Sequence, residues 1–164
     1  MRADPALAGV ELHIRPGGVA DAGAMAAVIV RAFASYMVAL DPPASALRET
    51  AATIAARLAD ELALVAECDG QIVGCVLAKP GDEVYIGRLA VDPDWRGRGI
   101  ARALIAAVEA EGRIRKARAL TLGVRIALPE NQRLFLACGF REVAREAHPG
   151  YAHPTFIRME KVLA

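Results

Sequence analysis

Hydrophobic side chains recur every three or four residues in four stretches of the chain. The first stretch covers 19–40 and ends at Asp41-Pro42-Pro43, where proline breaks the pattern. The other three cover 45–60, 100–111 and 129–138. This spacing follows the 3.6-residue period of an α-helix, so the pattern predicts four amphipathic helices.

Between the helical stretches, apolar residues alternate with polar ones or form short runs, as they do in β-strands. Asp69-Gly70 between two such runs is a strong hairpin signal. The resulting order, βααβββαβαββ, predicts an α+β layered architecture around one mixed sheet. The predicted strands lie at 10–15, 62–67, 71–78, 83–91, 119–124, 140–146 and 155–162.

The composition narrows the class of protein without identifying it. The 164 residues are 55% hydrophobic and carry a net charge of +1, which suits one folded domain, 1–164, and argues against disorder. A nearly neutral chain has no overall field that attracts nucleic acid or an anionic membrane. The stretch 22–40 is apolar, but Arg31 near its middle favours a buried helix over a membrane span.

The three cysteines, Cys68, Cys75 and Cys138, lack the number and spacing of a disulfide framework or a zinc site. We therefore expect free thiols in a reducing compartment and no bound metal. The first residues include Arg2 and Asp4 rather than an apolar segment. This start predicts no secretory signal and a cytoplasmic protein.

The clearest chemistry lies in the segment that joins the fourth strand to the third helix. Arg96-Gly97-Arg98-Gly99 follows a strand that Asp92-Pro93 ends, and a helix begins at Ile100. Unpaired backbone N–H groups and the helix dipole make such an N-terminus suitable for an anion, above all a phosphate. Arg102 and the two loop arginines add positive charge beside it.

Three interpretations of this loop compete. A dinucleotide-binding G-x-G-x-x-G fingerprint matches at Gly97 and Gly99, but Arg102 occupies its third glycine position. That fold also requires an acidic residue after a second parallel strand, and none stands there. A Walker A loop needs Gly-Lys-Ser/Thr, which is missing. The third interpretation is a coenzyme A loop.

Arg96-Gly97-Arg98-Gly99-Ile100-Ala101 resembles the Gln/Arg-x-x-Gly-x-Gly/Ala signature of the GNAT N-acetyltransferases, the Gcn5-related superfamily. Val91-Asp92-Pro93 resembles the turn through which that family enters its loop, and Gly139-Phe140 resembles its second signature. The element order also matches, so the resemblance covers nearly the whole chain. It implies a mixed, mostly antiparallel central sheet with helices on both faces.

The resemblance implies acetyl-CoA as the co-substrate. Backbone N–H groups from Gly97 to Ala101 would hold the CoA pyrophosphate, because glycine allows close backbone approach. The pantetheine arm would lie where the fourth and fifth strands separate at a bulge. The expected CoA-binding residues are Leu89, Ala90, Val91, Arg96, Gly97, Arg98, Gly99, Ile100, Ala101, Asn131 and Phe135.

The implied reaction is direct attack of a primary amine, on a small molecule or a peptide, at the acetyl thioester. Deprotonating an alkylammonium group at pH 7 costs about 4.6 kcal/mol, so a base or a desolvating pocket is needed. Glu83, at the start of the strand leading into the loop, is the first candidate base, and Tyr85 is the second. The alternative interpretation of Glu83 is an exposed carboxylate at a strand end.

Two positions depart from the family pattern. Phe135 stands where the family often places a tyrosine that protonates the departing thiolate. Asn131 resembles a CoA-contacting asparagine in type but lies closer to Phe135 than is usual, and helix capping is its alternative role. The alternative function is therefore a non-catalytic acyl-CoA-binding module of the same fold.

The acceptor site is less defined by the sequence. We expect Phe33 and Tyr36 of the first predicted helix to form part of its wall. This wall is apolar rather than acidic, which disfavours strongly polycationic acceptors. His148 and His153 flank a Pro-Gly turn near this site, although such turns are more typical of exposed surface. The resemblance is compatible with a homodimer.

Overall fold

Seven strands form one mixed sheet in the part of the chain that the structure, a computed structural model, describes: residues 9–163. The expectation drawn from Arg2 and Asp4 therefore lies outside the described residues. The strand order is β1-β2-β3-β4-β5-β7-β6, with β4 parallel to β5 and the other neighbours antiparallel. The strands are β1 (Leu12–Pro16), β2 (Leu62–Cys68), β3 (Gln71–Lys79), β4 (Glu83–Val91), β5 (Ala119–Arg125), β6 (Arg141–Glu146) and β7 (Phe156–Val162).

The α-helices of the described chain cover both faces of this sheet. They are α1 (Ala22–Ala34), α2 (Ala51–Arg57), α3 (Ile100–Ile114) and α4 (Pro129–Ala137). Short 3-10 turns at Val19–Asp21, Ser45–Arg48 and Pro93–Trp95 precede α1, α2 and the loop before α3. The predicted order βααβββαβαββ and the mostly antiparallel sheet are confirmed.

The interior strand β3 contributes to two cores because its side chains alternate between the faces of the sheet. Cys75 and Leu77 pack with α1 and α2, whereas Val76 packs with α3. Met25 and Ile29 of α1 are fully buried in the first of these cores. Each large apolar side chain buried in this way contributes about 1.5–3 kcal/mol to folding.

The first helix is shorter than the pattern predicts. In a helix continuing to residue 40, the carbonyl of Ala32 would accept the N–H of Tyr36. Instead it accepts the Ser35 hydroxyl at 2.7 Å and the Arg96 guanidinium at 3.0 Å, and α1 ends at Ala34. Met37, predicted on its apolar face, is fully exposed. No helix within residues 9–163 is long and apolar enough to cross a membrane.

The predicted helix over 45–60 is divided into a 3-10 turn and α2. Thr50 has an extended backbone, and its hydroxyl accepts the N–H of Thr53 at 3.2 Å. This side-chain cap satisfies an N–H group of the first turn, so α2 starts after Thr50 rather than at Ser45. The break matters for function because it turns Ser45 and Glu49 towards Arg88 of β4.

Asp92 fixes the turn between β4 and the glycine loop. Its carboxylate is 5% exposed, accepts the N–H of Asp94 at 3.0 Å and pairs with Arg31 of α1 at 3.1 Å. Its own N–H donates to the carbonyl of Val73 in β3 at 2.8 Å. One buried side chain therefore joins the loop to α1 while its backbone joins the loop to the sheet.

We expect Asp92→Ala to lower the free energy of unfolding by about 1–3 kcal/mol, because it leaves the partly buried Asp94 N–H group without its acceptor and removes the buried carboxylate that pairs with Arg31. Urea unfolding measures this change. Asp94→Ala is the matched control, since the Asp94 side chain is 81% exposed, and its effect should stay below about 0.5 kcal/mol. Equal losses in the two variants would contradict the role given to Asp92.

Candidate functional site

β4 and β5 run together for only part of their length. They pair from Glu83 with Ala119 as far as Ile86 with Leu122, and no pairing continues beyond that point in the described chain. The β3 register skips Gly87, which is bulged out of β4. A bulge bends its strand, so β4 turns away from β5 there. The predicted separation at a bulge is confirmed.

The loop after β4 has the conformation that its glycines predict. Gly97 and Gly99 have φ of 74° and 79°, values that favour glycine. Within residues 9–163, none of the N–H groups from Gly97 to Ala101 donates to another group. Several N–H groups at the positive end of α3 are therefore unpaired within the described residues, which is an arrangement suited to a phosphate.

A first cavity of about 410 Å³ extends from this loop to the separated edge of β4. Ten of the eleven expected CoA-binding residues line it: Leu89, Ala90, Val91, Arg96, Gly97, Gly99, Ile100, Ala101, Asn131 and Phe135. The exception is Arg98, whose guanidinium lies 4.7 Å from the centre of the Trp95 ring. The residues predicted to hold CoA thus share one cavity, and their binding role stays a prediction.

The arginine side chains beside the loop are arranged differently from what the sequence predicts. Arg96 donates to the carbonyl of Ala32 at 3.0 Å and lies 5.8 Å from the centre of the Tyr36 ring. Its side chain therefore ties the loop to the end of α1. Arg102, in the first turn of α3, is exposed and lines the first cavity, so it is the arginine best placed to meet a phosphate.

A second cavity of about 460 Å³ lies beside the first, over the region where β4 and β5 separate. It is enclosed by the end of α1, the 3-10 turn Ser45–Arg48, both strands and the turn after β6. The two cavities share four lining residues: Tyr36, Leu89, Asn131 and Phe135. They therefore meet at the separated edge of β4.

Tyr36 contributes a hydroxyl group at this junction. The sequence predicted only that its side chain forms part of the wall of the acceptor site. The Asn131 amide donates to its hydroxyl oxygen at 3.0 Å, so the hydroxyl hydrogen remains available to another acceptor. This contact replaces the capping role considered for Asn131. The Phe135 ring is buried and meets the Phe140 ring edge to face, with centres 5.8 Å apart.

The two candidate bases lie in different surroundings. Tyr85 is 48% exposed and lines the second cavity, where its hydroxyl lies above Gly123 of β5. Glu83 lines neither cavity, and its carboxylate is in contact with Arg118. The structure thus places Tyr85 at the candidate acceptor site and Glu83 beyond it, in the surroundings of a strand-end carboxylate.

Three basic side chains also line the second cavity: Arg88, Arg125 and His148. Burial and the nearby Arg125 guanidinium lower the pKa of His148 from 6.5, so its ring is neutral at neutral pH. His153, the other predicted histidine, is outside the cavity. The sequence assigned no role to the two arginines, although charged residues within largely apolar strands are a usable signal.

A model of the acetyltransferase (GNAT) family matches residues 29–140. The match covers more than half of the 164 residues and includes the loop and both strands of the junction. The chain therefore belongs to the GNAT acetyltransferase family.

Two curated relatives and one solved structure illustrate the likeness. The chain is 31% identical over 101 residues to N-acetylaspartate synthetase of Xenopus tropicalis, covering 58% of this chain and 37% of that protein. It is 49% identical over 53 residues to an acetyltransferase of Pectobacterium atrosepticum, covering 30% of this chain and 36% of that protein. The chain thus spans little more than a third of these relatives.

The structure also resembles PaiA N-acetyltransferase from Thermoplasma acidophilum, solved in complex with coenzyme A. The TM-score is 0.77 at 18% identity, over 93% of this chain and 99% of that chain. At this identity the likeness shows the fold.

We expect Gly99→Ala to weaken CoA binding about tenfold or more, which corresponds to about 1.4 kcal/mol. Alanine disfavours the positive φ of this residue, and its methyl group stands beside the unpaired N–H groups. Titration calorimetry with CoA measures the change. Gly150→Ala is the matched control, because Gly150 has a similar φ of 85° outside both cavities. Equal weakening by the two variants would contradict a binding role for the loop.

Proposed function

We propose that this protein is an N-acetyltransferase that transfers the acetyl group of acetyl-CoA to a primary amine by direct attack. The observation that carries the proposal is the junction of two cavities at Leu89, where β4 has left β5. One cavity begins at an anion-binding loop and the other opens to a separate set of side chains. A donor and an acceptor bound in them meet without an acyl-enzyme step. Membership of the acetyltransferase family supports this assignment.

The donor side rests on backbone groups. The N–H groups from Gly97 to Ala101 hold the pyrophosphate, and Arg102 adds a cation at the cavity wall. Beyond Ile86, backbone groups of β4 that face β5 have no strand partner and bind the pantetheine amides as a further strand would. Acetyl-CoA supplies an activated acyl carbonyl at the junction. A β4 N–H group beside Leu89 stabilises charge on that carbonyl oxygen, an effect typically worth about 3–4 kcal/mol.

Tyr36 supplies the proton that Phe135 cannot. Asn131 donates to the Tyr36 oxygen and so orients the hydroxyl, whose hydrogen is directed to the thiolate that leaves at the junction. The tyrosine thus comes from the end of α1 rather than from α4. The alternative function, a non-catalytic module, was based on the phenylalanine at position 135, where the family often has a tyrosine. A proton donor at Tyr36 removes this argument for the alternative.

Tyr85 contacts the amine in the second cavity. Its hydroxyl accepts a hydrogen bond from the amine, and the proton leaves towards solvent, since this side chain is half exposed. Two arginines in the same cavity disfavour the protonated amine because like charges repel. Glu83 accepts a proton only after it separates from Arg118.

Release of free thiol from acetyl-CoA in the presence of a panel of primary amines tests the proposal. An enzyme accelerates release well above the rate without amine. If the protein binds CoA but no amine accelerates thiol release, the protein is the non-catalytic module.

We expect Tyr36→Phe to lower kcat about tenfold, because a thiolate is a tolerable leaving group and the acid contributes only part of the rate. Tyr151→Phe is the control, since this tyrosine lines neither cavity. A kcat for Tyr36→Phe equal to that of the wild type would remove Tyr36 from the mechanism.

The base assignment is tested by a pair of variants. Tyr85→Phe should lower kcat/KM roughly tenfold through loss of one hydrogen bond to the amine. Glu83→Gln should change kcat less than about twofold. A larger loss in Glu83→Gln that disappears at high pH would instead make Glu83 the base.

A further inference from the structure

The second cavity has an uneven distribution of charge. Its lining includes two cations, Arg88 and Arg125, and among the described residues no aspartate or glutamate lines it. A site for a polyamine or a basic peptide would be expected to show the opposite balance, because carboxylates attract cations. The remaining walls are largely apolar, with Phe33, Phe156 and parts of both strands.

Arg125 lacks a partner for its charge. It lies at the end of β5 and is half buried, and within residues 9–163 its guanidinium forms neither an ion pair nor a hydrogen bond. The nearby carboxylate of Asp41 accepts the hydroxyl of Tyr151 instead. A cation held partly away from water without a counter-ion is costly, so a ligand anion is the natural partner.

Arg88 adds a second donor. Its guanidinium is held by Ser45 at 2.9 Å and by Glu49 at 3.3 Å, and Glu49 is shared with Arg57 at 3.3 Å. The Nε atom of Arg88 is buried and has no hydrogen-bond partner in the described chain. The Nη1 atom of Arg88 donates to the carbonyl of Gly87 at 3.2 Å, so the side chain is fixed at the cavity wall and adds positive charge there.

The register of the two strands places Arg125 close to the reaction point, about one position further along its strand. Ile86 pairs with Leu122. Because Gly87 is bulged out of β4, Leu89 lies two paired positions beyond Ile86, whereas Arg125 lies three residues beyond Leu122. Gly123, two residues before Arg125, lies beneath the Tyr85 hydroxyl. Alternate residues of a strand share a face, so Arg125 lies on the face that Tyr85 occupies.

We propose that the acceptor is a small amine that also carries a carboxylate, as an amino acid does, with Arg125 and Arg88 binding the carboxylate while the amine points to Leu89. This proposal rests on the proposed acetyltransferase function and names its acceptor class. A guanidinium suits a carboxylate because its planar N–H groups match the two oxygens. The cavity of about 460 Å³ accommodates a molecule of amino-acid size.

Matched acceptors test this proposal. Thiol release is measured with L-amino acids, with their amides and with the corresponding amines that lack the carboxyl group. The amides are the stringent comparison, because their amines lose a proton more readily than those of the amino acids. We expect kcat/KM for the amino acids to exceed that for both comparison sets at least tenfold.

Arg125→Gln isolates the carboxylate contact. The variant should raise KM for the amino acids at least tenfold, and the ratio of kcat/KM for the amino acids to kcat/KM for the amides should fall at least tenfold. Arg48→Gln is the matched control, since Arg48 is an exposed arginine outside both cavities. Unchanged CoA affinity shows that the Arg125 variant is folded. Equal losses for amino acids and amides, or faster reaction of the amides with the wild type, would overturn the proposal.

A binding measurement separates failure of this proposal from failure of the proposed function. The CoA-saturated protein is titrated calorimetrically with N-acetyl amino acids and with their amides. We expect the wild type to bind the carboxylates at least tenfold more tightly and Arg125→Gln to lose this preference. If no amine is acetylated but the protein still prefers carboxylates, only the proposed acetyltransferase function is wrong. If amines that lack a carboxylate are acetylated and the protein shows no preference for carboxylates, only the proposed acceptor class is wrong.

Discussion

The separation of β4 from β5 beyond Ile86 is the constraint on which the site depends. Elsewhere in the sheet, neighbouring strands satisfy one another's backbone groups. Past this pair, one edge of β4 has no strand partner within residues 9–163. The bulge at Gly87 causes the separation, and the two cavities meet there because neither strand fills the gap. The surrounding elements hold this opening in place.

Two arginine contacts hold the end of α1 and the glycine loop together. Arg31 reaches Asp92 from α1, and Arg96 reaches back from the loop to the carbonyl of Ala32. The second contact also ends α1 and so places Tyr36 at the junction of the cavities. One arginine of the loop signature therefore stabilises the loop and positions a candidate proton donor.

Local signals in the sequence predicted the fold well. Alternation and helical spacing gave every strand and helix in order, because each element buries one continuous apolar face. Glycine at 97 and 99 predicted the loop, since both residues have a left-handed φ. The misjudged helix ends depend on contacts from distant residues, such as that of Arg96 with Ala32, and no local pattern carries these.

The acceptor side was less predictable for the same reason. Tyr36, Arg88 and Arg125 come from three separate elements, and only the folded sheet shows that they line one cavity or its edge. Glu83 and Tyr85 are neighbours on one strand face, yet only Tyr85 lines the cavity, because Arg118 engages Glu83. The contact of Glu83 with Arg118, a residue distant in sequence, thus distinguishes Glu83 from Tyr85, and a local sequence pattern does not show it.

The central claim is that donor and acceptor occupy two adjoining cavities at the same time and react directly. Initial-rate kinetics test it most directly, with acetyl-CoA varied at several fixed concentrations of the most reactive amine. Direct transfer within a ternary complex predicts double-reciprocal lines that intersect. Parallel lines, which indicate an acyl-enzyme intermediate, would contradict the account.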